Sequence, residues 1–177
     1  MKWFLVLSSL LFSDIHAQDF QTEAKNLTDD LKESLMKNLS EKISKDGVVE
    51  AVSFCHLNVK PIAKAAAADR IKKYEFGRTS HKIRNVDNAP QPWAEDYLKD
   101  FEGKKKGEIK MTPIIFKLDN GKRVYLRPLY VEAKCLLCHG DNVSKNIHDK
   151  IQELYPKDKA LGFKLNEFRG FIWVKEK

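Results

Sequence analysis

Phe20, Ala24, Leu27, Leu31, Leu35, Leu39 and Ile43 recur at spacings of three and four, one narrow apolar stripe along an otherwise polar run. The spacing predicts a helix over Asp19 to Lys45, closed by Asp46-Gly47, where glycine suits a left-handed cap. Such a stripe lies on a core or, being narrow and sustained, pairs with a second copy of itself. A second helix is predicted over Val48 to His56 and a third over Pro61 to Ile71, with proline at its first position. Tyr74 to Ser80 has strand character, "RNVDNAPQPW" reads as loop, and Pro92 to Phe101 as a short helix. In "EIKMTPIIFKLDNGKRVYLRPLYV", two β-rich runs flank Asn120-Gly121, the pair favoured by a tight type I′ hairpin turn. Ser144 to Leu154 is a further helix stopped by Pro156, and Ala160 to Val174 reads as two short strands broken near Asn166-Glu167. Helices first and a mostly antiparallel sheet afterwards define an α+β domain.

Composition adds limits to this picture. The chain has 177 residues, 42% hydrophobic and 32% charged, enough for one domain with a real core and too few for two. "MKWFLVLSSLLFSDIHA" has a positive start at Lys2, an apolar run from Trp3 to Phe12 and a small residue at Ala17. It is read as a cleaved export signal over residues 1–17, leaving a single domain over 18–177. No later segment is apolar enough to cross a membrane, so the mature chain is expected to be soluble and periplasmic or otherwise exported. The formal charge of +7 survives cleavage, because Lys2 and Asp14 leave together. Its lysines are scattered, and the one cluster, Lys104 to Lys106 between glycines, reads as a solvated loop rather than a nucleic-acid site.

The chemistry lies in three cysteines. Cys135-Leu136-Leu137-Cys138-His139 fits C-x-x-C-H, the attachment signature of haem c. Two thiols three positions apart reach the two vinyl groups of one porphyrin, and the adjacent histidine is carried over the ring to bind iron. A zinc site would need a second ligand pair, for which the adjacent Cys55-His56 is poorly suited, and a redox dithiol has no need of the histidine. Cys55 is left over. Chemistry alone offers His56, His81, His148 or Met111 as the ligand opposite His139. Cys55 itself reads equally well as a ligand or as a small buried residue beside Val52 and Phe54.

Four stretches, "AVSFCHLNVKPIA", "GRTSHKIRNVDNAPQPWAEDYL", "RPLYVEAKCLLCHG" and "YPKDKALGFKLNEFRG", occur in an order that resembles a family of exported mono-haem c-type proteins. That family has a PAS-like fold, a central antiparallel sheet with flanking helices and a long N-terminal helix, and also occurs as the extracytoplasmic sensing domain of signalling proteins. Val86 and Asn166 depart from its pattern, where proline and glycine are usual. The resemblance implies that a cysteine thiolate binds the iron opposite His139, and the matching position is Cys55, with His81 as the rival. Such a ligand removes a free thiol from an oxidising compartment and favours ferric iron. His56, about 100° round the helix from Cys55, is then a bystander. Arg78, Arg84 and Arg127 are candidate partners for the haem propionates, and Trp93 and Tyr130 are read as packing residues. The functions that follow are redox or diatomic-gas sensing, or electron transfer, in each case through a protein partner and with a homodimer as a further expectation. An enzyme would need an open iron position, which Cys55 would fill.

Overall fold

The computed structural model describes residues 9–108 and 113–177, with side chains from Asp19 onward; the first eight residues of the expected export signal, and Met111, lie outside the described residues. Helix α1 spans Ser9–Ala67 but is two arms joined at Gly47, whose φ of 84° and ψ of 173° are open essentially to glycine alone. The arms fold back on each other. Lys42 lies over the Phe54 ring, Arg70 bonds Asp30, and Ala63, Ala66 and Ala67 pack on the cluster of Phe20, Ala24, Leu27 and Leu31. The predicted stop is therefore a reversal. Leu27 and Leu31 are buried and each contributes about 1.5–3 kcal/mol, whereas Leu35, Leu39 and Ile43 farther along the stripe are only half-buried.

The predicted helix beginning at Pro61 is instead a continuation of the second arm, which carries Pro61 inside it to Ala67. A 3-10 turn follows over Ala68–Lys72. Pro61 is exposed, so the carbonyl it leaves without an N–H partner, that of Leu57, lies on a face open to water.

Four strands follow: β1 Tyr74–Thr79, β2 Ile114–Lys117, β3 Arg123–Tyr130 and β4 Phe168–Glu176. They form one sheet in the order β1-β4-β3-β2, antiparallel throughout. The remaining helices are α2 Glu95–Phe101, α3 Leu136–His139 and α4 Lys145–Leu154. This is the α+β architecture expected, with its long N-terminal helix. One sheet face, with Tyr74, Tyr125, Ile172 and Val174, packs on α1. The other carries Val124, Leu126, Phe168 and Phe171, closed by Leu98 and Phe101 of α2 with Trp93, Phe116 and Trp173.

Two details differ from expectation. Asn120-Gly121 does join β2 to β3, but Gly121 N–H bonds Leu118 O (2.8 Å) and Leu118 N–H bonds Lys122 O (2.9 Å). Only Gly121 has positive φ there, so the hairpin closes through a three-residue loop rather than a two-residue type I′ turn. The predicted strand over the early part of Ala160 to Val174 is a loop, and only Phe168–Glu176 joins the sheet. Gly162 and Asn166 both take left-handed backbone angles that break extended structure. The N–H groups of Gly162 and Phe163 instead bond Gly140 O (3.1 Å) and His139 O (2.9 Å). That loop wraps the C-x-x-C-H turn.

Candidate functional site

A 3-10 turn over Ala133–Cys135 runs directly into α3, so Cys135 and Cys138 stand three apart on one helical surface with both thiols unpaired. Cys135 packs with Val131, Ala160 and Phe163; Cys138 packs with Val52, Ile147 and Ile151. The turn thus bridges two small apolar clusters. Gly140 ends it where a side chain has no room, since a Cβ there would sit 2.8 Å from Leu136 O.

His139 is held at both ends. Its Nδ1 lies 2.7 Å from Ala160 O, so the ring donates there and its Nε2 is left as the nitrogen with a free lone pair. Its ring meets Phe163 edge-on at 6.4 Å. Burial pushes the imidazole well below its usual pKa, with the positive charges of Arg169 and Arg84 adding to the effect, so His139 is neutral and able to donate to a metal.

Arg84 locks this arrangement. Its guanidinium donates to Cys138 O (2.6 Å), to Ala160 O (3.3 Å) and to both oxygens of Asp158 (3.2 and 3.1 Å). Asp158 has a fully buried side chain and also accepts from Ala160 N–H (2.9 Å). One ion pair therefore positions both the α3 carbonyl and the carbonyl that orients His139.

Cys55 comes from the second arm of α1. Val48, Val52 and Cys55 share one helical face by their spacing of four and three, and Val52 and Val48 lie in the cluster that contains Cys138. The Cys55 thiol is half-buried. Burial raises its pKa and nearby Cys138 adds to that, while Arg78 and Arg84 pull it back down. Cys55 therefore lies close enough to Cys138, Arg78 and Arg84 to feel their charges.

The three arginines singled out in the sequence part company. Arg84 is the clamp. Arg127 is tied to Asp29, with Thr28 Oγ1 at 3.5 Å, on the first arm of α1. Arg78, on the α1 face of β1, has no hydrogen bond or ion pair among the described residues, and the groups whose charges it feels are Cys135 and Cys55. A fourth arginine was not anticipated. Arg169 on β4 is 9% exposed, lies over the Phe163 ring at 4.9 Å and donates through Nη1 to Ser80 Oγ (2.9 Å) and Lys82 O (3.1 Å). Its Nε is buried without a partner. Burial pushes its pKa down to about 9, still charged at neutral pH, with Arg78 and Arg84 reinforcing the shift.

The other candidates lie apart. His81 stacks on Phe168 (5.9 Å) and meets Phe163 edge-on (5.7 Å), with its Nδ1 buried and unpartnered; burial lowers its pKa. Phe163 thus touches both His81 and His139. His56 is exposed against Tyr155 at 4.9 Å, and His148 is exposed on α4. Trp93 and Tyr130 belong to the aromatic core. Among the described residues no three His, Cys, Asp or Glu side chains converge as a metal-ion site. Asp158, Ala160, Phe163 and Arg169 were missed as individuals, although all four fall within "YPKDKALGFKLNEFRG".

The chain belongs to the Tll0287-like family, whose model matches residues 15–176. Among solved structures it is similar to one described as the cyanobacterial heme-protein Tll0287, with a TM-score of 0.52 and 26% identity, covering 79% of this chain and 88% of that one. No curated protein matches.

Proposed function

We propose that this chain is an exported c-type haem protein, with one haem carried covalently on Cys135 and Cys138 and its iron between His139 and Cys55. The observation that carries the reading is the Ala160 carbonyl on His139 Nδ1, which turns the histidine of a C-x-x-C-H turn so that Nε2 is its ligating nitrogen. The donor set fits the group: two unpaired thiols on one helical surface, a neutral imidazole, and a third thiol from the facing helix. The solved relative is itself described as a heme-protein. When bound, the group supplies a one-electron ferric–ferrous couple whose potential a thiolate ligand lowers.

The chain's own residues do the rest. Arg84 and Asp158 fix the carbonyl that orients His139. Cys55 gives up its proton to ligate, and the charges of Arg78 and Arg84 favour its thiolate. Val52, Ile147 and Ile151 keep water from one side of the turn.

The role is read as redox or diatomic-gas sensing in a PAS-like domain, in which Cys55 and His139 would hold the haem and a thiolate's preference for ferric iron would make the site responsive to reduction. The second reading is a small electron carrier, supported by a +7 charge suited to an acidic partner. With both axial positions filled by the protein, the chain is not read as an enzyme. Sensing is read as acting through a protein partner, and the half-buried Leu35, Leu39 and Ile43 on α1 are the surface offered to it or to a second copy. Residues 1–17 are assigned to cleaved export, which would deliver 18–177 to the periplasm or otherwise outside the cytoplasm, where haem c is attached.

The test is the mass of the denatured chain produced with a c-type maturation system. Haem stays on the wild type after acid denaturation and is lost from Cys135→Ala/Cys138→Ala. A wild-type chain isolated without covalent haem contradicts the proposal.

A further inference from the structure

Three guanidinium groups surround His139, and the described residues bond only one of them to a carboxylate. Arg84 is matched by Asp158. Arg169 and Arg78 are not matched, and their bonding shows it. Arg169 spends only Nη1, on the neutral acceptors Ser80 Oγ and Lys82 O. The edge formed by its Nε and Nη2 has no hydrogen-bond partner among the described residues, although Nε is shielded from water. This edge is the fork that receives a carboxylate through two parallel bonds. Arg78 makes no hydrogen bond among the described residues and feels the charges of Cys135 and Cys55.

A buried charge left without an anion is costly, and a buried N–H left without an acceptor adds to that cost. Arg169 carries that cost outright, and half-buried Arg78 adds a second charge unmatched among the described residues, so the site has room for two negative charges. The ring of Phe163 under Arg169 makes the guanidinium rigid, which suits a fixed ligand rather than a mobile counter-ion.

From this we infer that Arg169 and Arg78 form a dicarboxylate-binding pair that receives the two propionates of the haem, and that Arg84 and Arg127 do not. The inference rests on the haem reading above and deepens it. It replaces two of the arginines chosen from the sequence with one that carried no sequence signal of its own. Through this pair the protein neutralises the propionates and raises the potential that the Cys55 thiolate lowers. Arg169 and Arg78 are positioning residues that act on the iron through the charge they cancel.

The experiment uses the haem-loaded chain above neutral pH, where both propionates are ionised. Arg169→Gln and Arg78→Gln are each expected to raise the ferric-to-ferrous ratio at fixed potential on the order of tenfold. That is a fall of about 59 mV for a one-electron couple. The propionate bending bands in resonance Raman shift in the same two variants. Arg169→Lys keeps most of the potential, and Arg127→Gln changes neither readout. Unchanged potentials and bands in both glutamine variants, with haem still covalently attached, overturn the inference, as does an equal shift in Arg127→Gln. If Arg169→Gln does not fold, Arg78→Gln and Arg169→Lys decide the matter by the same criteria. A wild-type chain lacking covalent haem overturns the underlying reading instead, and the denatured mass reveals that separately.

Discussion

Against one face of the sheet Phe101, Phe168 and Phe171 pack ring to ring at 4.9–5.1 Å, with Trp93, Phe116 and Trp173 closing around them. Around the Cys135–His139 turn the apolar residues instead split into two small clusters, one with Cys135 and one with Cys138. Between and beside these clusters stand Cys55, Arg78, Arg84, His139 and Arg169. The aromatic region packs its rings on one another, and among its described polar atoms the Tyr130 hydroxyl is buried without a partner. The region round the turn leaves a buried guanidinium nitrogen unpartnered, thiols close enough to feel each other's charge, and an imidazole nitrogen available. A chain whose sequence is consistent at every other level violates the rules of core packing where a ligand is to complete them.

The largest consequence is for the chain without haem. Burying a few hundred Å² of porphyrin contributes roughly 10 kcal/mol gross at most. Cys135→Ala/Cys138→Ala is therefore expected to lose amide protection in α3, α4 and the second arm of α1, while β3, β4 and α2 keep more of theirs. Hydrogen exchange read by mass spectrometry checks this. Uniform protection in both regions, or cooperative wild-type-like melting without haem, would break the comparison.

A pair of single substitutions sharpens it. Phe171→Ala removes a fully buried ring from the aromatic region and is expected to cost about 3–5 kcal/mol. Its haem absorption should match wild type. Asp158→Asn leaves Arg84 as an unpaired charge, 14% exposed, at a cost of about 3–5 kcal/mol. Because Arg84 also bonds the carbonyl that holds His139, the Soret band should move as well. Denaturant melts and absorption spectra of both variants check the contrast. A spectral change in Phe171→Ala alone would reverse it.

How much of this was readable in the sequence follows from the range of the interactions involved. The first helix was legible because its stripe is local and periodic, and Gly47 because a reversal needs its backbone angles. The C-x-x-C-H turn was legible because its chemistry is contiguous. The hairpin was placed correctly but given the wrong loop, since Asn-Gly serves both a two-residue turn and the end of a three-residue one. His139 and Ala160 are 21 positions apart, and Ala160 acts through its carbonyl, which no side-chain pattern reports. The arginines were indistinguishable as residues. Arg84 became a clamp because Asp158, 74 positions later, folds against it. Arg169 fell inside a segment rightly read as strand, but alternation along a strand does not say that a charged residue there is buried. Local pattern revealed most of the elements and the C-x-x-C-H turn, and long-range pairing decided which polar groups were left for a ligand.

The central claim is that Cys55 and His139 face each other across one iron. Electron paramagnetic resonance of the ferric wild type beside Cys55→Ala tests it most directly. The account predicts a low-spin thiolate signature in the wild type that is lost in Cys55→Ala, with the covalent haem retained. An unchanged low-spin signal in Cys55→Ala would remove Cys55 from the iron and return the position to His81.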